Sequence, residues 1–169
     1  MTAGKATSGK ATAGKVTAAQ ARRMRSAARF YAVQALFQME AADVGLEAVI
    51  EEFETHRLGA EIDGATYAKP DLAHFRALLA AAVHEQARID QMTHQALVAR
   101  WPIDRIDPTL RALFRAAGAE LVATDTPPKV TITEYVDVAK AFYPDGKEAG
   151  FVNGVLDHMA RAAQPRAFA

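Results

Sequence analysis

The sequence predicts an all-α protein: about seven helices in two small bundles forming one compact unit, behind a basic and disordered N-terminal tail. Three observations predict it. Apolar residues recur at three- and four-residue steps, alanine is abundant while β-branched residues are scattered, and no two-residue alternation persists long enough for a strand. At 169 residues, half of them hydrophobic, the chain can bury one sizeable core.

The tail is the first element. "GKATSGKATAGK" (residues 4–15) imitates a phosphate-binding loop, with Gly4 and Gly9 five apart and Lys10 following. In such a loop the position after the lysine must be Ser or Thr to hold magnesium, and a strand must come before it. Here that position is Ala11, or Val16 in the second match, and only three residues precede Gly4. What remains is a five-residue repeat of small residues and lysine, too polar to offset chain entropy, so residues 1–19 are expected to be disordered.

The folded part is expected over 20–162, as an N-terminal bundle at about 20–100 and a C-terminal bundle at about 101–162, leaving 163–169 as a tail. A first helix spans Ala18 to Ala42 and stops before Gly45, with Phe30, Val33, Leu36, Phe37 and Met39 as its apolar set. A second covers Leu46 to Leu58. Residues 59–70, with Gly59, Gly64 and Pro70, read as a loop. Asp71 caps a third helix reaching Ile89, and a short helix follows from Gln91 to Ala99. "WPIDRIDP" joins the two halves. Asp107 caps the next helix with Pro108 in its first turn. After "DTPPK", Thr131 and Glu134 form a T-x-x-E capping box that opens a helix to Phe142. "YPDGKEAG" is a loop, and "FVNGVLDHMARAA" is the last helix.

Composition excludes several classes of function. There is no cysteine, hence no disulfide or thiolate metal site, which fits a reducing, cytoplasmic setting. No apolar run approaches the ~18 residues of a membrane span. The five histidines (His56, His74, His84, His94, His158) never stand four apart, so they form no helical metal pair. Ser8 and Ser26 are the only serines, and neither is near a histidine or a nucleophile elbow. No catalytic residue, metal or cofactor is expected.

Charge is the informative quantity. Net charge is zero, yet residues 1–30 hold seven cations (Lys5, Lys10, Lys15, Arg22, Arg23, Arg25, Arg29) and no acid. Arg22, Arg25 and Arg29 are spaced i, i+3, i+7 on one helical face, with Arg23 to the side. Cations at a helix start oppose its macrodipole, a placement that makes sense if an anion binds there. The planar guanidinium fork suits phosphate, which points to nucleic acid. The bland alternative is a solvated start to a long helix.

Two stretches carry a resemblance. "RRMRSAARFYAVQALFQME" and "RIDPTLRALFRAAGAELVATDTPPKVTITEYVDVAKAFYPDGKEAGFVNGVLDHMAR" are similar to the opening and the C-terminal half of the transcription antitermination factor NusB family, over residues 20–162. The resemblance implies two helical bundles and no enzymatic activity. It implies binding of boxA-type single-stranded RNA in nascent ribosomal RNA transcripts, with the partner NusE, a small-subunit ribosomal protein. The pair acts in an RNA polymerase antitermination complex. Residue by residue, it implies RNA-binding roles for Arg22, Arg23, Arg25 and Arg29, for Gln34 and Phe37 in the first helix, for Arg115 in the DP helix, and for Phe151. Arginines would neutralise phosphates while an exposed aromatic stacks on a base. Phe37 and Phe151 could equally be core. Asn153 is expected to cap or bridge helices, and Gly154 to permit close packing.

The chain departs from the family pattern where Met24, Ser26 and Ala27 thin the arginine run, and where Leu110 stands at a place often filled by Glu. The loop at 143–150 also differs, so Asp145, Lys147 and Glu148 take no role. Two alternatives stay open. One is a NusB-like domain serving an RNA methyltransferase, which needs a nucleotide-cofactor domain that these residues do not contain. The other is a helical protein–protein adaptor without RNA binding. Some family members self-associate, and no residue here decides for or against a homodimer.

Overall fold

The computed structural model describes residues 15–58, 61–62, 65–66, 69–97 and 106–169, and among these it is helical apart from one minimal ladder. Most of the expected disordered tail lies outside the described residues. Its last part does not behave as expected, because Thr17 caps helix α1 (Ala18–Ala42). The Gln20 amide donates to Thr17 Oγ1 at 3.1 Å and the Thr17 amide donates to Gln20 Oε1 at 2.8 Å, a reciprocal box that satisfies two orphan donors. At the other end Asp43 takes a left-handed conformation (φ 52°) and reverses the chain. Gly45 instead caps α2 (Leu46–Glu52).

The second expected helix has two parts. After Glu52 the chain widens into a π-helical turn over Phe53–Arg57, closed by the Leu58 amide on the Phe53 carbonyl. The turn drives Phe53 into the core against Phe75, with ring centroids 5.9 Å apart. Within the expected loop, Glu61–Ile62 and Ala65–Thr66 pair antiparallel in a two-residue ladder.

Asp71 does cap α3 (Leu72–His84), accepting from the His74 amide at 3.0 Å. The expected continuation to Ile89 fails. The chain breaks at Glu85 (φ −104°, ψ 17°) and restarts as α4 (Gln86–Leu97). No glycine or proline marks this break. Its cause is tertiary: α4 turns away to lie on the helices at Pro108–Ala123 and Glu148–Ala163, where Ile89 packs on Gly118.

Helix α5 (Pro108–Ala123) begins as expected, with the Thr109 amide on Asp107 Oδ1 at 2.7 Å. Ten of its residues are buried, and it packs against α1, α3 and α4 as well as against α6 (Pro128–Phe142) and α7 (Glu148–Ala163). The helix just past the expected bundle boundary therefore serves both halves. Gly118 allows this: a Cβ there would sit 2.4 Å from Ile89 Cγ2.

The capping box expected at Thr131 and Glu134 is not formed. Proline sets the start three residues earlier, at Pro128, because its fixed φ suits a first helical turn. Thr131 is buried and Glu134 reaches across to α1. Residues 148–150, expected as loop, are the first turn of α7. The expected C-terminal tail is also structured. Pro165–Phe168 form a 3-10 turn, Arg161 lies 4.6 Å above the Phe168 ring, and Gln164 Nε2 donates to the Leu121 carbonyl at 2.7 Å.

Cross-links fix the directions of the helices. Arg29 meets Glu120 while Glu40 meets Arg111 and Arg115, so α1 and α5 run antiparallel. The Asp71 amide bonds to the Met24 carbonyl, and Ser26 and Phe30 of α1 meet Glu134 and Phe142 of α6. Helices α1, α3 and α6 thus run the same way, and all three start at one end of the molecule.

Candidate nucleic-acid interface

The four predicted arginines do not act as one set. Arg29 is 3% exposed and lies inside. Its Nε donates to Glu120 Oε1 and Oε2 at 2.9 and 3.0 Å, its Nη2 donates to Oε2 at 2.7 Å, and its Nη1 lies 3.4 Å from Glu134. Tyr135 Oη donates to the same Glu120 carboxylate at 3.1 Å, and His74 Nε2 lies 3.3 Å away. Burial alone would push the Glu120 carboxyl up. Hydrogen bonds from His74 and Arg29 and the Arg29 charge overcome it and hold the group at about 2. The Tyr135 phenol is pushed well above its usual range, first by burial and then by the Glu120 charge. This is a paired, saturated centre joining α1, α3, α5 and α6, and Arg29 is its cation. The expectation that Arg29 contacts RNA is corrected: its hydrogen-bonding edge is committed to Glu120 and Glu134.

Arg22, Arg23 and Arg25 are placed differently. They stand in the first two turns of α1, where no acidic residue precedes or accompanies them. Arg22 and Arg23 are exposed and Arg25 is half-buried. Among the described residues none of the three has a carboxylate within ion-pair distance. Most other described arginines do: Arg57 with Glu52, Arg76 with Glu54, Arg111 and Arg115 with Glu40, Arg161 with Asp157. Arg88 and Arg166 are unpaired too, but each stands alone. Three unpaired guanidinium groups within four residues, at the end where three helices start, make a concentrated positive site with free donors.

The remaining predicted residues lie elsewhere. Phe37 is fifteen residues along α1 from Arg22, about 22 Å at 1.5 Å per residue. It is 40% exposed and, with Val33, Gln34 and Gln38, borders a groove of about 360 Å³ closed by Arg57, Thr109 and Phe142. Phe151 is half-buried, edge-on to Phe114 at 6.1 Å, and borders a second groove beside Asp107 and Leu110. Arg115 is held by both Asp90 oxygens at 3.0 Å and by Glu40 at 3.1 Å, so its fork is occupied inside the protein and the expectation of a free RNA contact there is corrected. Asn153 is exposed and neither caps nor bridges. A Cβ on Gly154 would meet nothing within 4 Å, so the close-packing glycine is Gly118 instead.

Sequence reasoning also missed Lys69. It is exposed and unpaired, two residues before the Asp71 amide that bonds to Met24 between the arginines. Nothing local to Lys69 announces that neighbourhood.

Fold and site together define a compact helical protein with a basic, unpaired end. The NusB family model matches residues 26–161, and the chain belongs to the NusB family. It is 48% identical over 150 residues to the transcription antitermination protein NusB of Brucella abortus (strain S19), covering 84% of this chain and 87% of the relative. The NusB of Brucella suis biovar 1 (strain 1330) is 47% identical over the same extent. Among solved structures, T. maritima NusB superposes with a TM-score of 0.65 at 28% identity, over 88% of this chain and 96% of that one. A crystal structure of antitermination factors NusB and NusE in complex with dsRNA gives a TM-score of 0.65 at 26% identity, over 83% and 98%. The matched family region begins at Ser26, so Arg22, Arg23 and Arg25 precede it.

Proposed function

We propose that this protein is an RNA-binding transcription antitermination factor that takes boxA-type single-stranded RNA at the start of α1 and works with NusE. The observation that carries the reading is the contrast within one helix. Arg29 is neutralised internally, while Arg22, Arg23 and Arg25 have no internal anion and present their donors outward. Phosphates are the natural counter-charge for such a cluster. The solved NusB–NusE–dsRNA complex, a similar protein holding NusE and an RNA, supports RNA and NusE as the partner classes. The groove around Phe37, at the other end of α1, is the surface offered to NusE. The two roles then occupy separate ends of one helix, so both partners can bind at once in the polymerase-bound assembly.

We further propose a non-enzymatic role in the cytoplasm, a reading that rests on membership of the NusB family. Among the described residues no cluster could hold a metal ion, and no helix is long and apolar enough to cross a membrane. The test is affinity for boxA RNA across salt concentrations. Converting Arg22, Arg23 and Arg25 to Gln is expected to flatten the log–log salt dependence by about 2, at ~0.7 per phosphate for single strands. An unchanged slope and affinity would remove these residues from the RNA site.

A further inference from the structure

We propose that the RNA-binding end extends past α1 into a trough formed by Leu58, Pro70 and Leu72, which takes one unstacked nucleotide with its phosphate on Lys69. The inference rests on the reading of the arginines as an RNA site and adds to it a place for a base.

The strand-like segment before α3 is clamped onto α1 by the Asp71 amide, which donates to the Met24 carbonyl at 2.8 Å. At 100° per residue, Arg23 and Arg25 lie to either side of Met24 on the helix surface. Lys69, two residues before Asp71, is thereby brought close to this turn of α1 and is itself exposed and unpaired. Beside it is a trough of about 260 Å³, bordered by Leu58, Pro70, Leu72 and Glu54, room enough for a single base. Leu72 is 39% exposed although it opens a helix, an apolar side chain left uncovered at the edge of a cationic site. The one acid at the rim does not spoil the charge pattern: both oxygens of Glu54 face Arg76, whose Nη2 donates to it at 2.7 Å. A lysine at the rim, tied to the arginine-bearing turn through the Asp71–Met24 bond, and an apolar floor fit a nucleotide better than a protein segment, because base faces stack on apolar side chains while the backbone follows the charge.

The experiment uses a boxA-containing single-stranded RNA and fluorescence anisotropy across salt concentrations. Lys69→Gln is expected to lower the log–log slope by about 0.7, and Lys69→Arg to restore it. Leu72→Ser is expected to weaken binding roughly fivefold or more with the slope unchanged, since it removes a base contact and no charge. Lys147→Gln, an exposed lysine at the opposite end of α6, is expected to match wild type. If Lys69→Gln and Leu72→Ser bind like wild type while the Arg22/Arg23/Arg25 variant loses binding, the trough is overturned and the arginine reading stands. An equal loss in Lys147→Gln would assign the effect to overall charge and also overturn it.

Discussion

The Arg29 guanidinium, in the first half of α1, lies edge-on against the Glu120 carboxylate of α5, with three hydrogen bonds of 2.7 to 3.0 Å between two side chains that water does not reach. The pair is ninety-one residues apart in sequence and holds four helices through His74, Tyr135 and Glu134. The internal pair thus positions the free arginines without joining them.

Acid should unfold the protein through Glu120. Its folded carboxyl is held at about 2, against an ordinary value of 4.5. A depressed carboxyl stabilises the fold above the unfolded value, and that contribution is lost as pH falls from about 4.5 towards 2. At 1.36 kcal/mol per unit the loss is about 3 kcal/mol. Urea unfolding midpoints measured from pH 7 to pH 2.5 should fall steeply below pH 4.5 in wild type. A profile as flat as that of a Glu120→Gln variant would refute the linkage.

Arg29 and its neighbours should separate cleanly in mutagenesis. Arg29→Ala leaves Glu120 buried without its main cation and should cost about 3–5 kcal/mol of stability. Arg22→Ala and Arg23→Ala remove exposed side chains and should change stability by less than about 0.5 kcal/mol while weakening RNA binding. Thermal melts and RNA titrations on the same preparations check both halves. A stable Arg29→Ala protein with weakened RNA binding would return Arg29 to the interface.

That separation marks where sequence reading stops. Local signals were legible: Asp71 and Asp107 cap the helices that their positions before apolar runs announce, and Pro108 opens α5 as its ring geometry requires. Signals that depend on distant partners were not. Periodicity places Arg29 on the face of Arg22 and Arg25, but only Glu120 decides that this face turns inward by the fourth turn. Thr131 and Glu134 have the spacing of a capping box, yet the carboxylate serves Ser26 and Arg29 on another helix. The break at Glu85 carries no glycine or proline and follows from where α4 must pack.

Gly118 should tolerate no side chain. Its virtual Cβ falls 2.4 Å from a branch carbon of Ile89, on a helix buried on all sides, so relief must come from moving α4 or α5. Gly118→Ala should destabilise by about 1–3 kcal/mol despite alanine's better helix propensity, and Ile89→Ala should recover part of the loss. Gly154→Ala, with open space around it, should be neutral or slightly stabilising. Equal melting temperatures for Gly118→Ala and Gly154→Ala would contradict the packing argument.

Phe37 should matter to a protein partner more than to the fold. Its ring is exposed at the lip of a groove whose floor is Val33 and Phe142, and Gln38 next to it is tied to Glu52 on α2. The groove is therefore held open by contacts that do not involve the Phe37 ring. Phe37→Ala should leave the protein folded at a cost of about 1–2 kcal/mol, because the ring is only partly covered. Removing an aromatic anchor from an interface typically costs about 2 kcal/mol or more, which is a thirtyfold or greater loss of NusE affinity. Calorimetric titration of NusE into wild type and Phe37→Ala, with RNA absent, reads this directly. RNA affinity measured without NusE should be unchanged, since the arginine end is about 22 Å away along α1. If instead RNA binding falls and NusE binding holds, the two ends of α1 have been assigned the wrong way round.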